Sequence, residues 1–182
     1  GIGTSGIFCA ITSGGDFYRR VTAGLLVGIW SFRLTFYLFQ RMQGHAEESR
    51  YATLRKKWGT SANRCMFYFF QIQALAVLLF VLPLLVACWN SSGYGIWDIL
   101  GIAIWLIGFS GVALADSLLH RFKQQEDSHG KTCRIGLWHY SRHPNYFFEW
   151  VLWWCWLPLS IGTSYWWIAT ILPLLLLYTL VY

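Results

Sequence analysis

Long apolar runs, separated by shorter polar ones, dominate this chain. Residues 21–40 (VTAGLLVGIWSFRLTFYLFQ), 65–89 (CMFYFFQIQALAVLLFVLPLLVACW) and 96–119 (IWDILGIAIWLIGFSGVALADSLL) are each long enough to cross a bilayer, and so are 144–162 and 165–182. A hydrocarbon core of about 30 Å needs about 20 apolar residues in a helix. Residues 2–12 (IGTSGIFCAIT) are apolar but too short, so they read as the tail of a spanning helix. Position 1 is not Met and the last run reaches Tyr182, so both ends are expected to be cut. The pattern predicts an all-α protein: one multi-pass membrane helical bundle over residues 1–182, with about five spans plus a truncated N-terminal helix.

The polar stretches set the topology. Residues 41–64 and 120–143 are densely basic and are separated by two spans, which puts them on one side. The positive-inside rule makes that side cytoplasmic. Arg19–Arg20 fall on the opposite side, a minor violation of the rule. Four polar features break the apolar runs. Arg33 sits within the first, and a charge there should face other helices or a polar cavity. Gln71 and Gln73 lie near the start of the second, and Pro83 is expected to kink it. Asp116, His120 and Lys123, spaced i, i+4 and i+7, form one polar stripe leaving the third.

Composition narrows the class further. Only 12% of the 182 residues are charged, against 56% hydrophobic; soluble domains carry about 25% charged residues. Twelve Trp and ten Tyr suit repeated crossings of the membrane interface. The net charge of +6 sits between apolar runs, which favours anionic head groups or a phosphorylated ligand over nucleic acid. Five cysteines without a C-x-x-C pair read as small buried apolar residues, with neither a disulfide framework nor a metal site. No Rossmann glycine motif and no P-loop occurs, so a phosphorylated cofactor would have to bind between helices.

The chemistry concentrates in Arg134–Trp150, RIGLWHYSRHPNYFFEW. Pro144 marks a helix start, because proline fixes φ and lacks the N–H that a first turn leaves unused. Asn145 and Glu149 then share one face at i, i+4, as do Arg142 and Tyr146. A helix N-terminus ringed by Arg142 and His143 suits an anion. His143 also fits proton transfer, with an ordinary pKa of about 6.5. Glu149 enters an apolar helix and needs a partner: Arg33, Lys123 or a ligand. Lys123, Lys131, Arg134 and Arg142 are suited to phosphate groups.

The run GLWHYSRHPNYFFEW, with ADSLLHRFK upstream, resembles an uncharacterised branch of the steroid 5-alpha-reductase family of membrane proteins. Trp30–Arg33, Glu47–Gly59 and Phe70–Gln73 extend the resemblance over nearly the whole chain. It implies an NADPH-dependent reductase acting on an activated C=C bond of a lipid or steroid-like substrate that enters from the bilayer. It assigns Arg142, His143, Asn145, Tyr146 and Glu149 to the cofactor pocket, Asp116, Lys123 and Arg134 to the adenosine and phosphate end, and Trp138 and Tyr140 to packing on it. Glu48 and Tyr51 are the candidates for polarising the substrate carbonyl. Phe148 stands where many members have Gly, which implies a narrower pocket. R-H-P-x-Y also occurs in the related membrane methyltransferases, so an S-adenosylmethionine-dependent methyltransferase is the alternative. A non-enzymatic membrane protein that retains the cofactor fold is the second alternative.

Overall fold

In hydrocarbon every backbone N–H and C=O must be satisfied within the chain, and helices do this locally. The computed structural model describes residues 1–42, 49–125 and 131–181, and every regular element among them is helical. These are α1 (Ile2–Thr12), α2 (Phe17–Met42), α3 (Ser49–Trp58), α4 (Ala62–Trp89), α5 (Ile96–Lys123), α6 (Leu137–Tyr140), α7 (Pro144–Trp153), α8 (Trp156–Ser160) and α9 (Ile168–Val181). Three stretches are long and apolar enough to cross a membrane: Phe17–Phe39, Tyr51–Trp89 and Ile96–Lys123.

Two ion pairs fix the directions of the helices. Arg19 meets Asp98 where α2 and α5 begin, and Arg33 meets Asp116 further along both. The two helices therefore run parallel, with α4 returning between them in sequence. The α2–α4 and α5–α7 connections consequently lie at one end, the near end. The α1–α2 and α4–α5 turns lie at the far end.

Residues 144–162 were expected to form one rod, and they do not. The helix breaks after Trp153 and resumes as α8. Pro158 supplies the reason: it has no N–H for the carbonyl of Trp154 and its ring would clash there. Tighter i→i−3 bonds replace the regular ladder, from the N–H groups of Trp154, Cys155 and Leu157 to the carbonyls of Val151, Leu152 and Trp154. The last run is also shorter than expected, with α9 beginning at Ile168.

Glycines on α5 bring α7 close. A Cβ at Gly108 would stand 2.6 Å from the Leu152 backbone, and one at Gly101 would stand 3.0 Å from the Cys155 carbonyl. Small residues at such a contact let helix backbones approach, which is how membrane helices gain packing without hydrophobic drive. Gly111 receives the ring of Phe148, so the bulk of Phe148 is taken up in the helix–helix contact. Between α2, α4, α7 and α8 lies the apolar core, with Trp30, Leu84, Trp105, Leu152, Trp153 and Trp156 buried.

At the far end the polar groups close on one another. The Arg19 guanidinium donates to both Asp98 oxygens, at 2.5 and 2.8 Å, and to the carbonyls of Asn90, Ser92 and Gly93 at 3.0, 2.8 and 3.2 Å. Asn90 Nδ2 donates to the carbonyls of Leu159 and Ile161, tying the α4–α5 turn to the end of α8.

At the near end α3 folds back on α4 through Gly59, whose φ of +51° is the left-handed region glycine favours. The ring of Tyr51 lies 5.9 Å from that of Phe70, and Trp58 lies 6.2 Å from Phe69.

Candidate functional site

The opening of α7 forms as its residues require. Pro144 occupies the first helical position, and the N–H of Phe147 closes the first turn on the carbonyl of His143. Asn145 and Glu149 then project from one face toward α2 and α5.

Four charged or amide side chains gather there from three helices. Arg33 of α2 forms an ion pair with Asp116 of α5, and its guanidinium lies 5.8 Å from the centre of the Phe109 ring. Asn145 Nδ2 donates to the other Asp116 oxygen at 3.4 Å. Glu149 is held by two indoles: Trp30 Nε1 donates to Oε1 at 2.7 Å and Trp153 Nε1 donates to the same oxygen at 3.2 Å. Those indoles are packed edge to face, with ring centres 5.2 Å apart, and Phe80 packs on Trp153 at 5.0 Å. The carboxylate therefore rests on an aromatic floor built from α2, α4 and α7.

This arrangement leaves acceptors over. A carboxylate paired with Arg33 accepts hydrogen bonds, so the Asn145 amide must turn its NH₂ toward Asp116. Its Oδ1 is then buried with no donor among the described residues. A buried acceptor without a partner costs about 1–3 kcal/mol. Both indoles serve one oxygen of Glu149, so the other carboxylate oxygen is not committed to them. One helical turn, about 5–6 Å, separates the two positions. The face presents two acceptors and an aromatic floor to whatever binds it.

Of the residues singled out from the sequence, the structure brings Asp116, Asn145 and Glu149 into this cluster. His143 and Tyr146 stack face to face at the rim, 5.2 Å between centres, and both are exposed. Lys123, Arg134, Tyr140 and Arg142 are exposed at the same end, while Trp138 donates from Nε1 to the Ala115 carbonyl at 2.9 Å. Tyr51 packs on Phe69 and Phe70 of α4. Glu48 lies outside the described residues.

Sequence reasoning left the partner of Glu149 open between Arg33, Lys123 and a ligand. Arg33 instead takes Asp116, and Trp30 and Trp153 take Glu149. The local signal for Trp30 was its position three residues before Arg33, on the same face of α2.

The chain belongs to a protein family of unknown function, DUF1295, whose profile matches residues 2–182. No curated protein and no solved structure matches it.

Proposed function

We propose that this member of the family is a membrane-embedded NADPH-dependent reductase of an activated C=C bond in a lipid or steroid-like substrate. The observation that carries the reading is the orphaned Asn145 Oδ1 one turn from the clamped Glu149 carboxylate. A primary carboxamide has two N–H donors on one nitrogen, and the nicotinamide ring bears such a group. Buried acceptors that lack donors in the protein alone are satisfied by a ligand that supplies them.

When bound, NADPH supplies the hydride, which is transferred to the β-carbon of a conjugated C=C bond. The protein's part is position and charge. Asn145 and Glu149 fix the plane of the carboxamide, with Trp30 and Trp153 holding the carboxylate in a single orientation. Arg33 and Asp116 hold the amide of Asn145 in turn. Lys123, Arg134 and Arg142 suit the phosphate groups, and the exposed rings of Tyr140, His143 and Tyr146 offer flat surfaces beside them. Tyr51 is the candidate proton donor to the substrate carbonyl, where negative charge develops in the transition state. The resemblance of GLWHYSRHPNYFFEW to the steroid 5-alpha-reductase family supports the same reading. Placing the basic end in the cytoplasm, where NADPH is made, is consistent with it.

The same acceptor pair fits one other cofactor, because the α-ammonium of S-adenosylmethionine is also a multiple N–H donor. The two are separated by thermal unfolding of the purified full chain with NADPH, NADH or S-adenosylmethionine added singly. At about 100 times its Kd a ligand adds about 2.7 kcal/mol of stability. Stabilisation by NADPH supports the reductase. Stabilisation by S-adenosylmethionine alone replaces it with a methyltransferase. No response to any of the three leaves a non-enzymatic protein.

A further inference from the structure

The inward face of α4 changes character along its length. Ala62, Met66, Phe69, Gln73, Phe80, Leu84 and Ala87 fall on one stripe at helical spacing. Leu84 and Ala87 are buried in the core, and Phe80 packs on Trp153. At the top of the stripe Ala62 and Met66 are buried too, beside the turn that leads back to α3. Between these two contacts every residue from Phe70 to Leu75 is exposed, Gln73 on the inward stripe included. The upper half of α4 thus stands off from the bundle, and Gln73 points across the gap. Gln71, two residues away, lies on the opposite face, toward lipid.

The depth of Gln73 follows from helix rise. α4 and α7 both start at the near end and so run parallel, with Phe80 and Trp153 marking a common level. Gln73 stands seven residues above Phe80, about 10 Å. Glu149 stands four residues above Trp153 and Asn145 eight, about 6 and 12 Å. Gln73 is therefore level with the acceptor pair, on the facing wall. Tyr51, packed on Phe69 and Phe70, sits one turn higher on that wall. No hydrogen bond to Gln73 forms among the described residues, and an amide at this depth needs one.

We infer that Gln73 binds the carbonyl of the lipid-soluble substrate, donating from Nε2 across the gap that the α7 acceptors face. The inference rests on the reductase reading and adds the substrate side of the site. An amide donor at hydrocarbon depth selects a carbonyl-bearing ligand over a plain hydrocarbon, because only the former repays the desolvation of the amide. The opening between the upper halves of α4 and α7 is the entry for a ligand dissolved in the bilayer. Gln73 and Tyr51 then meet the carbonyl from one side while Asn145 and Glu149 hold the cofactor on the other.

The test measures thermal unfolding of the purified full chain, first with NADPH and then with 4-cholesten-3-one titrated into the NADPH-bound protein. Gln73→Leu should keep the NADPH response and bind the enone at least tenfold more weakly, while Gln71→Leu should keep both responses. Enone binding in Gln73→Leu equal to wild type overturns the assignment, and so does a wild type that responds to NADPH and not to the enone. A dimer that becomes a monomer on Gln73→Leu, seen by light scattering, puts a second copy of the chain at this face and also overturns it. Absence of any NADPH response in the wild type is a separate failure, of the reductase reading, and removes this inference with it.

Discussion

Two arginine–aspartate pairs join the same two helices, and they are built differently. At the far end Arg19 and Asp98 are closed off, with side chains only 2% and 1% exposed. Two carboxylate oxygens and three backbone carbonyls receive the guanidinium, and the second Asp98 oxygen also accepts from the Gly95 N–H. At the near end Arg33 and Asp116 remain 18% and 14% exposed. Their network stops at Asn145, whose Oδ1 has no donor among the described residues. A saturated polar network has nothing left for a ligand, whereas an incomplete one at the mouth of a bundle does. The first locks α2 to α5, and the second is the place to look for binding.

The largest effect is expected at the closed end. Asp98→Ala strands a buried guanidinium and should cost about 3–5 kcal/mol, seen as a large fall in the unfolding temperature in detergent. A melting curve close to wild type would mean that the far end is not a lock. At the open end Asn145→Ala should do the reverse. It should abolish the roughly 2.7 kcal/mol gained from NADPH at about 100 times its Kd, while the ligand-free protein unfolds near the wild-type temperature. If the ligand-free protein were instead the one to collapse, Asn145 would be a structural residue like Arg19.

A smaller change tests the floor beneath Glu149. Trp30→Phe keeps the ring contact with Trp153 and removes one hydrogen bond to a carboxylate, worth about 1.5–3 kcal/mol in general and nearer the lower figure here because Trp153 still donates. The unfolding temperature should fall modestly and NADPH should bind more weakly. An unchanged NADPH response would show that the clamp has no bearing on the ligand. Arg142→Ala should have the smallest effect, a several-fold loss of NADPH affinity that shrinks as salt is raised, with no change in ligand-free stability. Loss of affinity independent of salt would remove Arg142 from the phosphate contacts.

The open end was largely legible in the sequence because its cues are local. Pro144 at a helix start and the i, i+4 spacing of Asn145 and Glu149 are properties of a dozen consecutive residues. The closed end was not legible. Arg19 looked like a surface charge on the wrong side of the membrane, yet it is buried against Asp98, 79 positions away. With Arg20, Asp16 and Asp98 beside it, that end carries as many anions as cations, so the apparent violation of the positive-inside rule disappears. The break between α7 and α8 was also missed. Its hydropathy is that of an unbroken span, and only the missing N–H of Pro158 interrupts the ladder.

By itself the sequence determined an all-helical bundle with the basic segments at one end, because hydrophobic runs and proline positions act over one or two turns. Which arginine takes which aspartate, which indoles take Glu149 and which face of α4 is left uncovered were decided by tertiary packing alone. Those outcomes depend on how closely the glycines of α5 let α7 approach and on where α3 folds back. Both are contacts between helices far apart in the chain, and local spacing carries no record of them.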